Sequence, residues 1–295
     1  MIQKDQKRLK SRKESQIEIP KEHKKNQYKR NQYKRNYQIQ FLNPKLLHLV
    51  KNLRPLKVCL LAFWFSVFLI SAIILTNGAN LYMSSNKEYA NLNQVIWSTQ
   101  SDNKKSTTNI KSSYKSPIEI NPDYLMWLSI PGTSIDYPVA RNQQPGYYLN
   151  HTFMRTKNPS GCLFVQEDAP EPGDGNTVIF GHNMKDGTMF ADLKRYMKPG
   201  FYKAHSSIQL HYNGKWYKAI IYSIQLRNET DLQCYETEFL RPSEKTEFIC
   251  KMKKSSMYET SYLPTTKDGL ITLSTCYGSM ERMIVQAALL CYTND

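Results

Sequence analysis

The chain has 295 residues and a formal net charge of +15, with 40 Lys and Arg against 25 Asp and Glu. Residues 1–57 hold 17 basic and 4 acidic residues, which leaves 23 basic and 21 acidic residues, nearly balanced, in residues 58–295. A nucleic-acid-binding fold spreads positive charge over a structured face, so this distribution argues against nucleic acid as a partner.

The six cysteines lack the spacing of a metal site or a disulfide framework. No C-x-x-C pair occurs, and the chain is neither short nor rich in cysteine. No glycine-rich phosphate loop or nucleotide-binding fingerprint is recognisable either. We therefore expect no cofactor and no metal.

The N-terminal part is polar and lysine-rich, and it cannot bury enough apolar surface to offset the entropy of ordering. We predict a basic, mostly disordered tail over residues 1–57. An uncharged run, Val58–Leu75, follows. As a helix it is ~27 Å long, close to the thickness of the hydrocarbon core of a membrane.

Basic residues stand ahead of this run at Lys51, Arg54 and Lys57, and Lys87 is the single basic residue in the next 25 positions. The positive-inside rule then places the N-terminus in the cytoplasm and the following domain outside the cell. A cleaved signal peptide is the alternative. It is disfavoured because the basic segment is nearly 60 residues long and the apolar run exceeds the usual 7–15. We predict an uncleaved, single-pass signal anchor in the cell membrane over residues 58–76.

Residues 77–116 are rich in Ser, Asn, Thr and Lys and predict a polar stalk, with at most a short helix around Tyr89–Trp97. The folded domain is expected over residues 117–295. Its short aromatic and β-branched runs between turn signals are typical of a barrel or sandwich. The predicted strands are Leu125–Ile130, Ile135–Val139, Cys162–Gln166, Thr177–Phe180, Ser207–Tyr212 and Lys215–Leu226. The predicted helices are Thr188–Tyr196 and Ser243–Lys253.

The end of the chain predicts a hairpin that carries a candidate nucleophile. Two apolar runs, 269–276 and 282–290, flank a connection that contains Gly278. Because a hairpin places the end of one strand beside the start of the next, Cys276 and Arg282 are expected at one edge of the sheet. A cation beside a thiol favours the thiolate, which is the nucleophilic form.

His182 is the candidate proton partner of this thiol. It follows a predicted strand and a glycine, in Thr177-Val-Ile-Phe-Gly-His182, at the kind of strand end where barrels place functional side chains. No other histidine beyond the apolar run has this position. From spacing alone, an ordinary turn histidine is an equal alternative.

Two motifs resemble those of the sortases. Thr272-Leu-Ser-Thr-Cys276 with Arg282-Met-Ile-Val is similar to the sortase signature, and Phe180-Gly-His-Asn-Met-Lys-Asp-Gly resembles the histidine region of class B sortases. The resemblance covers about residues 117–290. It implies a mainly β fold, an eight-stranded sortase β-barrel with short helices, preceded by a single transmembrane helix.

The resemblance also implies a reaction, that of a membrane-anchored cysteine transpeptidase. Cys276 would attack a C-terminal sorting motif of secreted proteins and form a thioacyl intermediate. His182 would exchange protons with the leaving and incoming amines, and Arg282 would stabilise the oxyanion. The acceptor would be an amino group of a cell-wall peptide or of its lipid-linked precursor. Membrane lipid would contact the anchor and the basic tail.

Four residues are candidates for contact with the sorting motif. Ser274 should face the same way as Cys276 because strand residues alternate. Leu149, in Tyr-Tyr-Leu-Asn, matches a position that lines the motif groove in the family, and Thr230 and Tyr235 precede the second predicted helix. Ordinary packing is the alternative for each of them.

Other functions compete with this interpretation. A pilus-polymerising sortase usually carries a lid with an Asp-Pro-aromatic motif before the barrel, which is not recognisable here. A membrane-tethered surface protein without enzymatic activity would carry Cys276 only incidentally. An L,D-transpeptidase has glycine before the cysteine and arginine two positions after it, where Thr275 and Gly278 stand. A papain-like peptidase has its cysteine early in the chain, on a helix.

Overall fold

The computed structural model describes residues 44–102 and 116–290. The chain divides into two units, residues 1–74 and residues 75–295. Helix α1 (Pro44–Asp102) begins in the first unit and ends in the second. The basic tail up to residue 43 lies outside the described residues, as do residues 103–115 of the expected stalk.

Helix α1 contains a candidate membrane span. By length and composition, its segment Pro55–Gln94 is long and apolar enough to cross a membrane. Large side chains of the uncharged run are exposed, among them Phe63, Trp64 and Phe68 at 59–66%. A helix that is apolar all round requires apolar surroundings, so this segment is a candidate membrane anchor.

The second unit begins within α1, which continues to Asp102 where a polar stalk with a short helix was expected. Tyr89 and Leu92 are buried in the core of this unit, and the Tyr89 hydroxyl donates to the Gly161 carbonyl over 2.7 Å. These two residues belong to a stripe of buried and partly buried side chains along α1. The spacing along this stripe alternates between three and four residues, as in an amphipathic helix. The Ser and Asn residues between its members made the segment resemble a linker. The stripe consists of Tyr82, Ser85, Tyr89, Leu92 and Ile96.

Eight strands form a closed barrel, which confirms the predicted fold class. They are β1 (Tyr124–Ser129), β2 (Asp136–Arg141), β3 (Leu163–Val165), β4 (Asn176–Phe180), β5 (Ser207–Tyr212), β6 (Lys215–Asn228), β7 (Gly269–Tyr277) and β8 (Glu281–Leu289). Around the barrel the order is β1-β2-β3-β4-β7-β8-β6-β5. The pairs β2/β3 and β4/β7 are parallel, and the other pairs are antiparallel.

Short helices connect the strands. They are α2 (Pro117–Ile120), α3 (Pro199–Ala204), α4 (Pro242–Lys254) and 3-10 helices at Tyr147–Leu149, Ala191–Met197 and Gln233–Tyr235. Helix α4 confirms the second predicted helix. The first predicted helix is a 3-10 helix that begins only at Ala191. Before it, the amide and hydroxyl of Thr188 both donate to Asp186, and Met189 has φ 53°, so no helix can form there.

The strands beneath the site are covered on both faces. On β7, Ile271 and Leu273 point into the barrel, whereas Leu270 packs on the outside with Ile249 and Met252 of α4. This alternation also directs every second side chain near the end of β7 outward, in step with Leu270. Beyond the region that α4 covers, the outer face of the β7–β8 hairpin therefore carries polar and charged side chains.

Candidate active site

The hairpin of β7 and β8 brings Cys276 beside Arg282. The two residues are directly opposed partners in the antiparallel ladder. Gly278, with φ 65°, supplies the left-handed backbone that the tight connection needs. One guanidinium nitrogen of Arg282, Nη1, donates a hydrogen bond to the Sγ atom of Cys276. Cys276 is exposed, so its sulfur is open to a ligand.

The parallel pairing of β4 with β7 places His182 next to this pair. The ladder ends with Phe180 opposite Ser274, and the Gly181 amide donates to the Ser274 carbonyl over 3.2 Å. The next residue, His182, thus leaves the sheet level with Cys276. Its Nε2 donates to the Leu149 carbonyl over 2.8 Å, because a carbonyl only accepts. The other ring nitrogen, Nδ1, is then the acceptor of the neutral imidazole.

Asn183 links the histidine loop to the nucleophile strand, a role that sequence reasoning missed. Its side-chain amide donates to the carbonyl of Cys276 over 2.9 Å. The bond spans strand ends that are 93 positions apart in the chain. The sequence indicates only that Asn183 directly follows Gly181-His182. Its contact with Cys276 can be predicted from that position only when the parallel pairing of β4 with β7 is known.

Glu229 was also missed. Its carboxylate lies 3.4 Å from Nη2 of Arg282, and its amide donates to the Met280 carbonyl over 2.9 Å. The pair is partly exposed, with 32% of the Arg282 and 41% of the Glu229 side chain accessible. Arg282 is therefore held between a carboxylate on one nitrogen and the Cys276 sulfur on the other.

These groups open into one cavity of about 590 Å³ on the outer face of the barrel, which we call the reaction cavity. Its walls bring together six of the seven residues singled out from the sequence. They are Cys276, His182, Arg282, Ser274, Leu149 and Tyr235. Glu229 lines the same cavity.

Thr230 is the one of the seven that does not line it. Its hydroxyl donates to the side-chain oxygen of Asn228 over 2.7 Å, and its amide does the same over 3.0 Å. Thr230 thus closes a turn just beyond the end of β6, rather than facing the reaction cavity.

Two polar candidates on the cavity wall bind each other. The hydroxyls of Tyr235 and Ser274 lie 2.8 Å apart. Burial raises the pKa of the Tyr235 hydroxyl, so it stays protonated and available as a donor at neutral pH. Leu149, by contrast, is 48% exposed, and its side chain forms an open apolar patch.

The site brings together a thiol, an imidazole and a guanidinium, a combination that suits acyl transfer. Within residues 44–102 and 116–290, no group of three His, Cys, Asp or Glu side chains is placed to hold a metal ion.

A family model described as the sortase domain matches residues 128–290, more than half of the chain. The chain belongs to the sortase family. Sortase B of Listeria monocytogenes is 34% identical over 192 residues, which are 62% of this chain and 78% of the relative. Sortase B of Staphylococcus aureus is 28% identical over 227 residues, which are 75% of this chain and 93% of the relative.

Solved structures agree with this assignment. A Staphylococcus aureus sortase B–substrate complex superposes with a TM-score of 0.64 at 26% identity, covering 72% of this chain and 98% of that one. Sortase B of Clostridium perfringens gives a TM-score of 0.57 at 30% identity, covering 59% and 97%. The chain is thus a class B sortase, a cysteine transpeptidase, which excludes the non-enzymatic surface protein.

Proposed function

We propose that this class B sortase cleaves the C-terminal sorting motif of secreted proteins through a thioacyl intermediate on Cys276. It then joins them to an amino group of a cell-wall peptide or of its lipid-linked precursor. The observation that carries the proposal is the placement of Cys276, His182 and Arg282 on three adjacent strand ends around one cavity.

In the first half of the reaction the scissile peptide bond is exchanged for a thioester. The Cys276 thiolate attacks the carbonyl carbon, and the negative charge moves to the carbonyl oxygen. The guanidinium of Arg282 stabilises this oxyanion, since one of its nitrogens already lies at the sulfur. Protonated His182 gives its Nδ1 proton to the leaving amine as the C–N bond breaks. Nε2 stays on the Leu149 carbonyl and fixes the ring.

In the second half the acceptor amine attacks the thioester carbon. Neutral His182 takes a proton from the incoming nitrogen, and the C–S bond breaks to regenerate the Cys276 thiolate and the imidazolium. A new amide bond replaces the one that was cleaved, so the reaction needs no energy source beyond the original peptide bond. The same imidazole serves as acid first and base second.

Three wall residues are proposed to contact the sorting motif. Ser274 and Tyr235 offer paired hydroxyls beside the nucleophile, where they can bind the peptide backbone. Leu149 offers exposed apolar surface in the same cavity. Thr230 is left out because its hydroxyl is bound to Asn228.

The enzyme is proposed to be anchored by α1, with residues 1–57 in the cytoplasm, residues 58–76 in the membrane and the barrel outside the cell. The basic residues ahead of the apolar run support this orientation. Its test is the labelling of intact cells with a membrane-impermeant thiol reagent. Modification of Cys276 in intact cells agrees with an outer barrel, whereas labelling only after lysis contradicts it.

Wall anchoring is favoured over pilus polymerisation as the use of this site. Cys276 is exposed, and the Asp-Pro-aromatic motif that marks the lid of a pilus-polymerising enzyme is not recognisable in the sequence. The two uses differ in the acceptor, a wall-peptide amine or a lysine of another cargo subunit. Offering both amines to the enzyme and comparing the ligated products distinguishes them.

The cleavage reaction is tested with the full chain in detergent. The substrates are fluorogenic peptides of the Asn-Pro-x-Thr-Asn, Ser-Pro-x-Thr-Gly and Leu-Pro-x-Thr-Gly types. We expect one type to be cleaved, with faster turnover when an acceptor amine is added, and no cleavage by Cys276→Ala. Failure to cleave any of them, with Cys276 still reactive toward iodoacetamide, would overturn the proposal.

A further inference from the structure

A second cavity, of about 610 Å³, adjoins the reaction cavity. The two share part of their lining, so together they form one continuous groove. The residues that line both are Leu149, Phe164, Gln166 and Phe180. Beyond them the second cavity extends between the loop at residues 142–148 and the end of β3. We call it the upstream cavity, and none of the steps above uses it.

We propose that the upstream cavity binds the cargo residues immediately N-terminal to the sorting motif and selects basic residues there. The inference rests on the proposed function, because it takes the acyl part of the substrate to lie in the groove with its scissile carbonyl at Cys276. It adds a specificity site outside the motif itself.

The spacing of the strands sets which substrate residues reach this cavity. The groove crosses from β7, which carries Cys276, over β4 to β3, a width of two strand spacings or roughly 10 Å. An extended peptide advances roughly 3.3 Å per residue, so about three residues bridge that width. The residue directly before the cleaved bond is taken to lie at Cys276. The fourth residue, counted back from the cleaved bond, then reaches Phe164 on β3. Residues still further upstream then enter the upstream cavity.

A row of aromatic rings forms the floor of this path. The rings of Tyr235 and Phe180 lie 5.7 Å apart between centroids, and those of Phe180 and Phe164 lie 5.6 Å apart and are stacked. Tyr147 and Val165 continue the apolar lining in the upstream cavity. Such a floor binds the methylene stems and rings of a peptide whatever its exact sequence.

The charge of the rim gives the selectivity. Glu167 and Asp168 line the upstream cavity and are exposed, and no Lys or Arg lines it among the residues that the structure describes. The other polar side chains there are uncharged, namely the amides of Asn142, Gln144 and Gln166 and the hydroxyls of Tyr147 and Tyr148. A lysine or arginine can lay its stem on the apolar floor and bring its charge to the carboxylates. An acidic residue at the same place meets only like charge.

The test uses the full chain in detergent and the best-cleaved motif peptide, extended at its N-terminus by Lys-Tyr-Lys, Gln-Tyr-Gln or Glu-Tyr-Glu. Because exposed ion pairs are weak, we expect kcat/KM to be about fivefold or more higher for the basic than for the acidic extension at low salt. The ratio should fall toward one at high ionic strength. The same order is expected for the affinities of the three peptides for Cys276→Ala, a measurement that involves no chemistry.

The decisive variant carries Glu167→Gln with Asp168→Asn, and it should bring the ratio close to one. Its matched control, Glu247→Gln with Glu259→Gln, removes two exposed carboxylates outside both cavities and should keep the ratio. Equal turnover and affinity for all three extensions would overturn the inference while leaving the proposed function intact. The inference would also be overturned if the double variant changed only the KM for the acceptor amine, because the upstream cavity would then bind the acceptor rather than the cargo. Absence of any cleavage or binding would instead overturn the proposed function, and the inference with it.

Discussion

Phe180 of β4 and Ser274 of β7 are opposed partners at the end of a parallel ladder, and this pairing aligns the two strand ends that carry the site. Two positions further along each strand stand His182 and Cys276. The imidazole and the thiol are therefore level because the strands are in register. Changes that shift either strand end should lower activity without touching a reacting group.

Gly181→Ala tests this alignment. A Cβ atom at position 181 would contact the side chain of Leu163 and lie 2.8 Å from Cδ2 of Phe190, both of them buried. Such overpacking costs about 1–3 kcal/mol of folding free energy and should displace the adjacent His182. We expect a lower unfolding midpoint and at least about a tenfold loss of kcat/KM, which corresponds to about 1.4 kcal/mol.

Gly200→Ala is the matched control for this substitution. Position 200 lies in α3, and a Cβ there meets no atom within 4 Å. Replacing a helical glycine by alanine stabilises by about 0.5–1 kcal/mol, so this variant should be at least as stable as the parent and equally active. If Gly181→Ala behaved like Gly200→Ala, the alignment of the two strand ends would not depend on close packing at Gly181.

Asn183→Ala should loosen the connection between the histidine loop and the nucleophile strand. It removes the hydrogen bond to the Cys276 carbonyl. One such bond is worth about 1 kcal/mol, so we expect kcat/KM to fall about three- to tenfold and the unfolding midpoint to fall by at most about 2–4 °C. Thr230→Ala should change kcat/KM by less than about twofold, because its hydroxyl is bound outside the reaction cavity. A reversed order of the two effects would contradict this placement.

Arg282→Lys separates charge from geometry. Arginine offers one nitrogen to Cys276 and another to Glu229, and a lysine ammonium cannot bridge both groups in this way. We expect kcat to fall about 10²–10³-fold, as when an oxyanion donor is lost. Glu229→Gln keeps the guanidinium and loses a partly exposed ion pair, so it should cost at most about fivefold. Single-turnover acylation rates measure both. Equal losses would mean that Arg282 acts mainly through Glu229.

A partly buried network around Asp123 predicts a pH-dependent stability. Burial opposes the charged form of Asp123, but hydrogen bonds from Tyr148 and Asn142 and the charge of Arg155 outweigh it, so the pKa of Asp123 lies below its usual value. Asp123 therefore stabilises the fold above its unfolded-state pKa of about 3.9, and this contribution is lost as the pH falls through the lower folded-state value. Tyr148 precedes the residue whose carbonyl binds His182, so the network also supports the site.

Thermal unfolding from pH 7 to pH 3 tests this network. Asp123→Asn should be less stable than the parent by about 1–3 kcal/mol at neutral pH, and the difference should shrink below about pH 4. Tyr148→Phe removes one donor to the carboxylate and should reduce the pH-dependent part. A difference that stays constant from pH 7 to pH 3 would contradict the assignment.

The hairpin of β7 and β8 could be predicted from sequence because its register is local. Two apolar runs and a glycine turn suffice to place Cys276 opposite Arg282. The position of His182 could not be derived in this way, since it depends on a parallel pairing between strands more than 90 residues apart. The choice of His182 as the proton partner of Cys276 came instead from the resemblance of its motif to the sortases. Asn183 reaches Cys276 only through that pairing, and Glu229 reaches Arg282 through the long-range pairing of β6 with β8, so both were missed.

In the segment after the apolar run, composition alone gave a wrong prediction. Its composition, rich in Ser and Asn, indicated a solvated stalk, yet Tyr89 and Leu92 are buried in the core of the second unit. Several polar side chains of this segment form hydrogen bonds with the rest of the second unit. Ser85 binds Ser160, and Glu88 accepts from Thr152. Amino-acid composition does not distinguish one face of a helix from another. A single narrow apolar stripe is enough to pack a mostly polar helix against a folded core.

The central claim is that the acyl group of the cargo is carried on the Cys276 sulfur. Its most direct test is the intact mass of the full chain, quenched in acid during turnover of the best-cleaved motif peptide. We expect an adduct with the mass of the N-terminal product less water, located on the peptide that contains Cys276 and released by hydroxylamine. An adduct on any other residue, or continued cleavage by Cys276→Ala, would contradict it.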